Sequence, residues 1–322
     1  MPRPTSATTL QRPDLGAIAY EYNAEASQRG FIGLGLLPIF EVEEQSADYP
    51  KIPIESLIKI QDTKRAPRAN YGRSDYEFET GTYACKENGW EEPVDDSEAN
   101  LYRRYFIAEE VAVKRATDIL LRGQEVRIAA MMFNSGNFTV ADAAIAWNTS
   151  ATAVPRTNIE AGKIAMRAAS GLEPNTIAMS KKVFTYLMLT AEITTAFRYT
   201  NPIEIGGMEA QKRIMAQYFG VDRVLVGDAI KDTGKKGQVF SLGDIWDDEY
   251  VGLFKVSAGG NDLREPVVGR TFLWTADSPG NIVTEQYREE QRRSNIYRVR
   301  HNVDECFIFQ GAGYLLGNII HP

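Results

Sequence analysis

The sequence predicts an α+β fold, and three patterns carry that prediction. A proline-free run from Glu98 to about Phe133 is dense in Ala, Leu, Arg, Glu and Met, all strong helix formers. Two stretches, 52–60 and 75–82, alternate apolar with polar side chains, as half-buried strands do. Strand 176–179, helix 208–219 and strand 223–226 follow in a β-α-β rhythm, which lays helices on a central sheet. The 322 residues are 43% hydrophobic, 25% charged and 10% aromatic. Such a mixture excludes wholesale disorder, collagen and coiled coil. The length suits about two domains that bury roughly three quarters of the unfolded surface.

Residues 1–30 are polar and of mixed charge, a tail or an arm that orders against a neighbour. Ile52, Ile54, Ile58 and Ile60 then predict a strand. Tyr76, Phe78, Thr80 and Thr82 predict its partner, with Asp75, Glu77 and Glu79 on the other face. Between them, residues 62–73 hold Lys64, Arg65, Arg68 and Arg73 against Asp62 alone, a net +3. Pro67 and Gly72 mark a turn region. Two strands with a long basic tip form an extended hairpin, which is marginal in water unless it lies against something. The acidic residues 91–98 read as a helix start, with Asp96 or Ser97 as cap. The helix predicted over 98–133 has about 36 residues and spans roughly 54 Å. Acid-first pairs, Glu110 with Lys114 and Asp118 with Arg122, support it. Gly123 is where a bend is expected. A helix over 157–171 starts at Thr157 or Asn158 and ends at Gly171. Ser180 caps the helix after strand 176–179. Tyr297, Val299, His301 and Val303 alternate in a strand-rich end.

Catalytic patterns are absent. The sequence has no HExxH, GxSxG, CxxC or GxGxxG. Residues 229–236 miss the phosphate loop at both ends, with Ala229 for the first Gly and Lys236 for the Ser/Thr, and read as a charged turn. His301 lies inside an alternating strand, and Cys85 and Cys306 have no activating neighbour in sequence. The acidic group Asp244, Asp247, Asp248 and Glu249 lacks calcium-loop spacing. No cofactor, metal site or catalytic residue is therefore expected. With 36 basic and 43 acidic residues the chain carries −7, the wrong sign for a protein that coats nucleic acid. The N-terminus has no signal-peptide core. The longest apolar stretch, Phe31–Phe40, is broken by Gly33, Gly35 and Pro38 and is too short to span a membrane.

The order of elements (arm, long hairpin, long helix, sheet-and-helix body) resembles the major capsid proteins of tailed phages, the Hong Kong 97-type fold. GLEPNTIAMSKKVFTYLM (171–188) is similar to the family's passage into the axial domain. FGVDRVLVGDAIKD (219–232) with IWDDEYVGLF (245–254) is similar to a later axial passage. NIVTEQYREEQRRSNIYRVRHNVDECFIFQGAGYLL (281–316) is similar to the return through the peripheral domain. The resemblance implies an N-terminal arm over 1–48, an extended hairpin loop over 49–95 and a peripheral domain with spine helix over 96–172. It further implies an axial domain over 173–280 and peripheral return strands over 281–322.

The function implied is that of a coat protein, not an enzyme. Hexamers and pentamers of the chain would form an icosahedral shell around double-stranded DNA, without sequence-specific binding and without a membrane. Assembly in the host cytoplasm and residence in the virion follow from the family. So do a portal and, as an option, decoration proteins. Some relatives carry an N-terminal scaffolding segment, and here the hairpin begins near residue 50, so either the scaffold is a separate protein, which Met1 favours, or the chain is already processed. Lys64, Arg65, Arg68 and Arg73 are the expected inter-subunit contacts at the tip. Acid-rich receivers could be 91–98, Asp244 to Glu249 or Glu285 to Glu290. Two other readings remain: an encapsulin-like compartment shell and a soluble metal-dependent enzyme using the acidic group.

Overall fold

The computed structural model describes residues 10–11, 15, 18–19, 30–54, 58–61, 63–65, 67–68, 70–73, 78–197, 207–234, 237, 239 and 241–320. The chain runs β1 (Leu10–Gln11), α1 (Gly33–Leu36), β2 (Ile39–Val42), β3 (Ser46–Lys51), β4 (Glu79–Ala84), β5 (Lys86–Asp95), α2 (Asp96–Tyr102) and α3 (Ala108–Met132). It continues through β6 (Thr139–Asp142), α4 (Pro155–Ser170), β7 (Thr176–Ser180), α5 (Lys181–Leu189), α6 (Ala191–Phe197), α7 (Met208–Phe219) and β8 (Arg223–Gly227). It ends with β9 (Ile230–Asp232), β10 (Leu242–Asp244), β11 (Val251–Phe254), β12 (Gly269–Trp274), β13 (Val283–Glu289), β14 (Ser294–Phe307) and β15 (Gly313–Gly317).

Two larger sheets organise these elements. One runs β1-β13-β14-β12-β2, with β5 also paired to β14; the other runs β6-β15-β11-β7-β8. Strand β14 is the axis of the first sheet. Its 14 residues pair antiparallel with β13, β12 and β5. Tyr297, Val299, His301 and Val303 alternate inward on it and are all buried, the period-2 pattern the sequence predicts. In the second sheet β7 and β8 are parallel, joined through helices as the β-α-β rhythm requires. The sheets do not follow chain segments: β12 joins the sheet of the closing strands, while β15 returns to the sheet of β7, β8 and β11.

The long helix differs from its prediction. It is not continuous over 98–133. Helix α2 ends at Tyr102, residues 103–107 turn, and the 25 residues of α3 start at Ala108. The interruption is therefore at Arg103–Ile107, and α3 runs through Gly123 as helix. Aromatic and β-branched residues (Tyr102, Tyr105, Phe106, Ile107) are poorer helix formers than the Ala- and Glu-rich stretch beyond. The N-cap of α2 is Asp95, whose carboxylate accepts from Ser97 N at 2.8 Å, one residue before the expected position. The acidic stretch read as a helix start is strand as far as Asp95, because β5 pairs along β14 from Lys86 to Asp95, and only from Asp96 is it helix.

The hairpin is real, but its register differs. β3 and β4 pair antiparallel from Ser46↔Ala84 to Lys51↔Glu79, so the strands sit at its base. None of the described residues of 52–60 is strand: Ile54 and Ile58 are helical, Ile54 is buried and Ile58 and Ile60 are exposed. Pro53, lacking an N–H, ends the ladder just past β3. Tyr76, Asp75 and Glu77 lie outside the described residues, and Phe78 precedes β4. Helix α4 begins with Pro155 at its first turn rather than a Thr157 or Asn158 cap, since proline's fixed φ suits that position. It ends as expected at Gly171, with φ +73°. Ser180 caps α5, accepting from Val183 N at 3.2 Å.

Candidate inter-subunit surfaces and the joint behind them

The N-terminal segment is held by its own chain where it is described. β1 pairs with β13, Leu10↔Gln286, and Leu15 and Ala19 are buried with Val113, Ala116, Leu120, Tyr297 and Val299. These side chains fasten the arm to the long helix and the first sheet. Burying them stabilises the contact by the usual area rule, about 25 cal/mol per Å² of apolar surface.

Further along, one buried carboxylate joins three parts of the fold. Glu125 of α3 accepts from Ile32 N at 2.7 Å, Gly33 N at 2.9 Å and the indole Nε1 of Trp246 at 2.7 Å. It ties the start of α1 to the long helix and to the segment before β11. Burial pushes the Glu125 carboxyl up from its ordinary value, and the three donated hydrogen bonds pull it back. Gly33 lies so close that a Cβ there would meet Glu125 Oε2 at 2.6 Å and Ile128 Cδ1 at 2.9 Å. Glycine is needed at this position for close approach, not for an unusual φ. Nothing in a single sequence marks Glu125, which sits in a helix with Gln124 and Arg127 as polar neighbours; a polar residue on the buried stripe of α3 is its only trace.

The hairpin tip is a surface of the opposite kind. Lys64, Arg65, Arg68 and Arg73 are all exposed, on irregular chain between the β3 and β4 ends. Arg65 lies over the Tyr71 ring at 4.6 Å and donates to its hydroxyl at 3.4 Å. Arg68 takes φ +70° in the turn with Pro67. Around the tip Ile58, Ile60, Tyr71 and Phe78 are exposed large apolar side chains.

The acid-rich candidates are largely committed within the chain. Arg298 binds Glu91 at 2.7 Å and Glu285 at 3.2 Å, and Arg300 binds Glu285 at 3.0 Å. Arg288 reaches both oxygens of Asp96, at 2.6 and 2.7 Å. Lys182 pairs with Asp248 at 3.0 Å, and Lys181 pairs with Asp228. Burial raises the Asp244 carboxyl, helped by Asp248 and Asp228. Among the described residues no group of His, Cys, Asp and Glu is placed to hold a metal ion.

The remaining chemistry-bearing residues are packed. His301 is fully buried and burial lowers its pKa to about 3, with Arg127 adding to the shift. Cys85 and Cys306 are free thiols, brought near one another beside β12. Burial pushes the Cys85 thiol up to about 11, and burial with a hydrogen bond to Asp304 raises that of Cys306 further. Raised thiols are poor nucleophiles. The stretch 229–236 contains β9 and the turn toward β10. Among the described residues no helix is long and apolar enough to cross a membrane.

Comparison with known proteins follows the same line. No family model matches the sequence. The major capsid protein of Burkholderia phage BcepMu is 27% identical over 309 residues, 94% of each chain. A phage-related protein from Bordetella bronchiseptica superposes with a TM-score of 0.72 at 21% identity, covering 97% of this chain and 99% of that one. The capsid of Myoviridae phage XM1 matches at TM-score 0.53 and 10% identity, over 89% and 92% of the two chains. The holo encapsulin complex from Synechococcus elongatus matches at 0.52 and 12%, over 89% and 86%. Phage capsid and encapsulin share the architecture about equally, so fold alone does not separate them. The chain thus shares the Hong Kong 97-type capsid architecture with these structures, and its similarity to one phage major capsid protein runs the length of both chains.

Proposed function

We propose that the chain assembles into hexamers and pentamers of an icosahedral shell that encloses the double-stranded DNA of a tailed phage. The observation that carries this is the loop over 52–78. It leaves the sheet with Ile58, Ile60, Tyr71 and Phe78 exposed beside a basic tip. Such surface gains nothing in a monomer and is covered when copies interlock. The tip residues Lys64, Arg65, Arg68 and Arg73 contact an adjacent subunit in this reading. The role is structural, and no catalytic step is assigned. Assembly takes place in the host cytoplasm with a separate scaffolding protein and a portal, and decoration proteins are an option on the outer surface. The net −7 suits a wall that does not need to attract the DNA it surrounds. The arm covers 1–48, the hairpin 49–95, the peripheral domain 96–172 and 281–322, and the axial domain 173–280.

Negative-stain microscopy of the expressed protein, with and without a co-expressed scaffold, tests the shell. Closed particles are expected; a chain that stays monomeric at high concentration under both conditions would end this reading. The particle contents settle the encapsulin alternative, which the likeness to the Synechococcus complex favours: DNA for a phage shell, cargo protein for a compartment.

A further inference from the structure

We propose that Cys85 and Cys306 are a dithiol that oxidises to an intrachain disulfide and so staples the root of the hairpin to β14 once the chain leaves a reducing compartment. The pair stands on the geometry of a single chain; its timing and its effect on particles rest on the shell reading above.

The chain has two cysteines, far apart in sequence, and the fold brings both to one rung of the first sheet. The Cys85 thiol donates to the Phe272 carbonyl at 3.6 Å. The Cys306 thiol donates to Asp304 Oδ2 at 3.0 Å. Phe272 and Asp304 are direct partners in the β12–β14 ladder, and such partners lie about 4.5–5.5 Å apart. The same Asp304 oxygen accepts from Ala84 N at 2.9 Å, which fixes the residue before Cys85 over this rung. Both thiols are free, and both pack in one apolar cluster with Tyr49, Tyr83 and Phe272. The two sulfurs therefore bracket a single strand pair, on the length scale a disulfide spans, about 4.4–6.8 Å between Cα atoms.

Cys85 joins β4 of the hairpin to β5, and Cys306 lies near the end of β14. A bond between them closes a very long loop, which restricts the unfolded chain strongly. It also fixes the hairpin on the sheet it crosses, where the Tyr83 ring already stacks on Phe272 at 4.6 Å. The oxidant is a small disulfide such as oxidised glutathione. Cys306 is half-buried and Cys85 buried, so the Cys306 thiolate attacks first, releases one glutathione thiolate and leaves a mixed disulfide. The Cys85 thiolate then attacks the Cys306 sulfur and expels the second glutathione. The two protein protons end on two glutathione thiols; the protein loses two electrons and the small disulfide gains them. Burial and the Asp304 carboxylate keep both thiols protonated at neutral pH. Exchange is therefore slow, which leaves the pair open during assembly in a reducing cytoplasm and lets it close outside.

The test incubates native full-length chain with oxidised glutathione, maps its peptides without reductant, and compares it with chain kept in dithiothreitol. A Cys85–Cys306 peptide, two hydrogens lighter than its separate halves, is expected in most chains. Oxidised particles should dismantle in urea about tenfold more slowly than reduced ones. In Cys85→Ser and in Cys306→Ser, oxidised and reduced samples should behave alike. Each variant is compared with itself, so a loss of stability from the substitution does not blur the result; should a variant fail to fold, the wild-type map decides. The inference is overturned if the thiols stay free, stop at glutathione adducts, bridge different chains, or link only in urea-unfolded chain. It is also overturned if linked and reduced particles dismantle at the same rate. Wild-type chain that links its cysteines yet builds no particle in either state refutes the shell reading, a distinct failure that leaves the dithiol standing.

Discussion

Glu125 and the hairpin tip are both built from ionisable side chains, and they occupy opposite physical regimes. The carboxylate is buried beneath three donors from two distant parts of the chain. The four tip cations stand exposed on an irregular loop. An acceptor in the interior fixes how one subunit folds, because every unsatisfied buried donor costs about 1–3 kcal/mol. A charge at the surface is worth only about 0–1 kcal/mol per pair, and gains importance only through repetition across identical interfaces. Folding and assembly are thus encoded in separate places and should be separable by mutation.

The sharpest break in that comparison is Glu125→Ala. It strands three buried donors while relieving the burial of one carboxyl, for an expected net loss of about 3 kcal/mol, read as an earlier urea midpoint. If stability were unchanged, Glu125 would not be the joint described here.

Acid should act on the interior next. His301 has its folded pKa lowered to about 3, below the unfolded value of about 6.5. As pH falls from about 6.5 toward 3, the unfolded chain takes up a proton that the folded chain refuses, so stability declines with a slope of up to about 1.4 kcal/mol per pH unit. His301→Phe should flatten that slope in denaturant titrations across the window. An unaltered slope would place the acid sensitivity elsewhere.

A smaller change of opposite sign is expected at Gly123. A Cβ there would meet only Arg127 Nη1, at 3.9 Å, and the residue is exposed within a helix that passes through it. Gly123→Ala should therefore stabilise by up to about 1 kcal/mol, seen as a higher melting temperature. Destabilisation would show that a bend at this position matters to the subunit. The smallest effect on folding belongs to the tip. Arg65→Glu with Arg68→Glu should leave melting within about 0.5 kcal/mol of wild type, yet suppress shell formation, more at low salt than at high. Normal assembly at low salt would leave the tip merely solvated.

How legible these sites were differs in the same way. The tip can be read directly, because four cations in ten residues of an acidic chain are a local pattern. The corresponding strands were misplaced, since the isoleucine alternation at 52–60 competes with Pro53 and the true pairing of 46–51 is set by its partner 79–84. The helix break escaped prediction for a related reason: no glycine or proline marks residues 103–107. Glu125 was invisible, because its three donors come from residues 92, 93 and 121 positions away.

By itself the sequence determined the α+β class, the inward alternation of β14, the caps at Ser180 and Gly171, the parallel β7–β8 unit and the order of elements that resembles phage coat proteins. These rest on periods of 2 and 3.6 and on single-residue stereochemistry, which act over a few neighbouring positions. Only the tertiary structure decided where the long helix breaks, which strands share a sheet, and that Glu125 joins the long helix to the start of α1 and to the segment before β11. Those outcomes depend on contacts between distant segments, whose burial and hydrogen-bond satisfaction override local propensity.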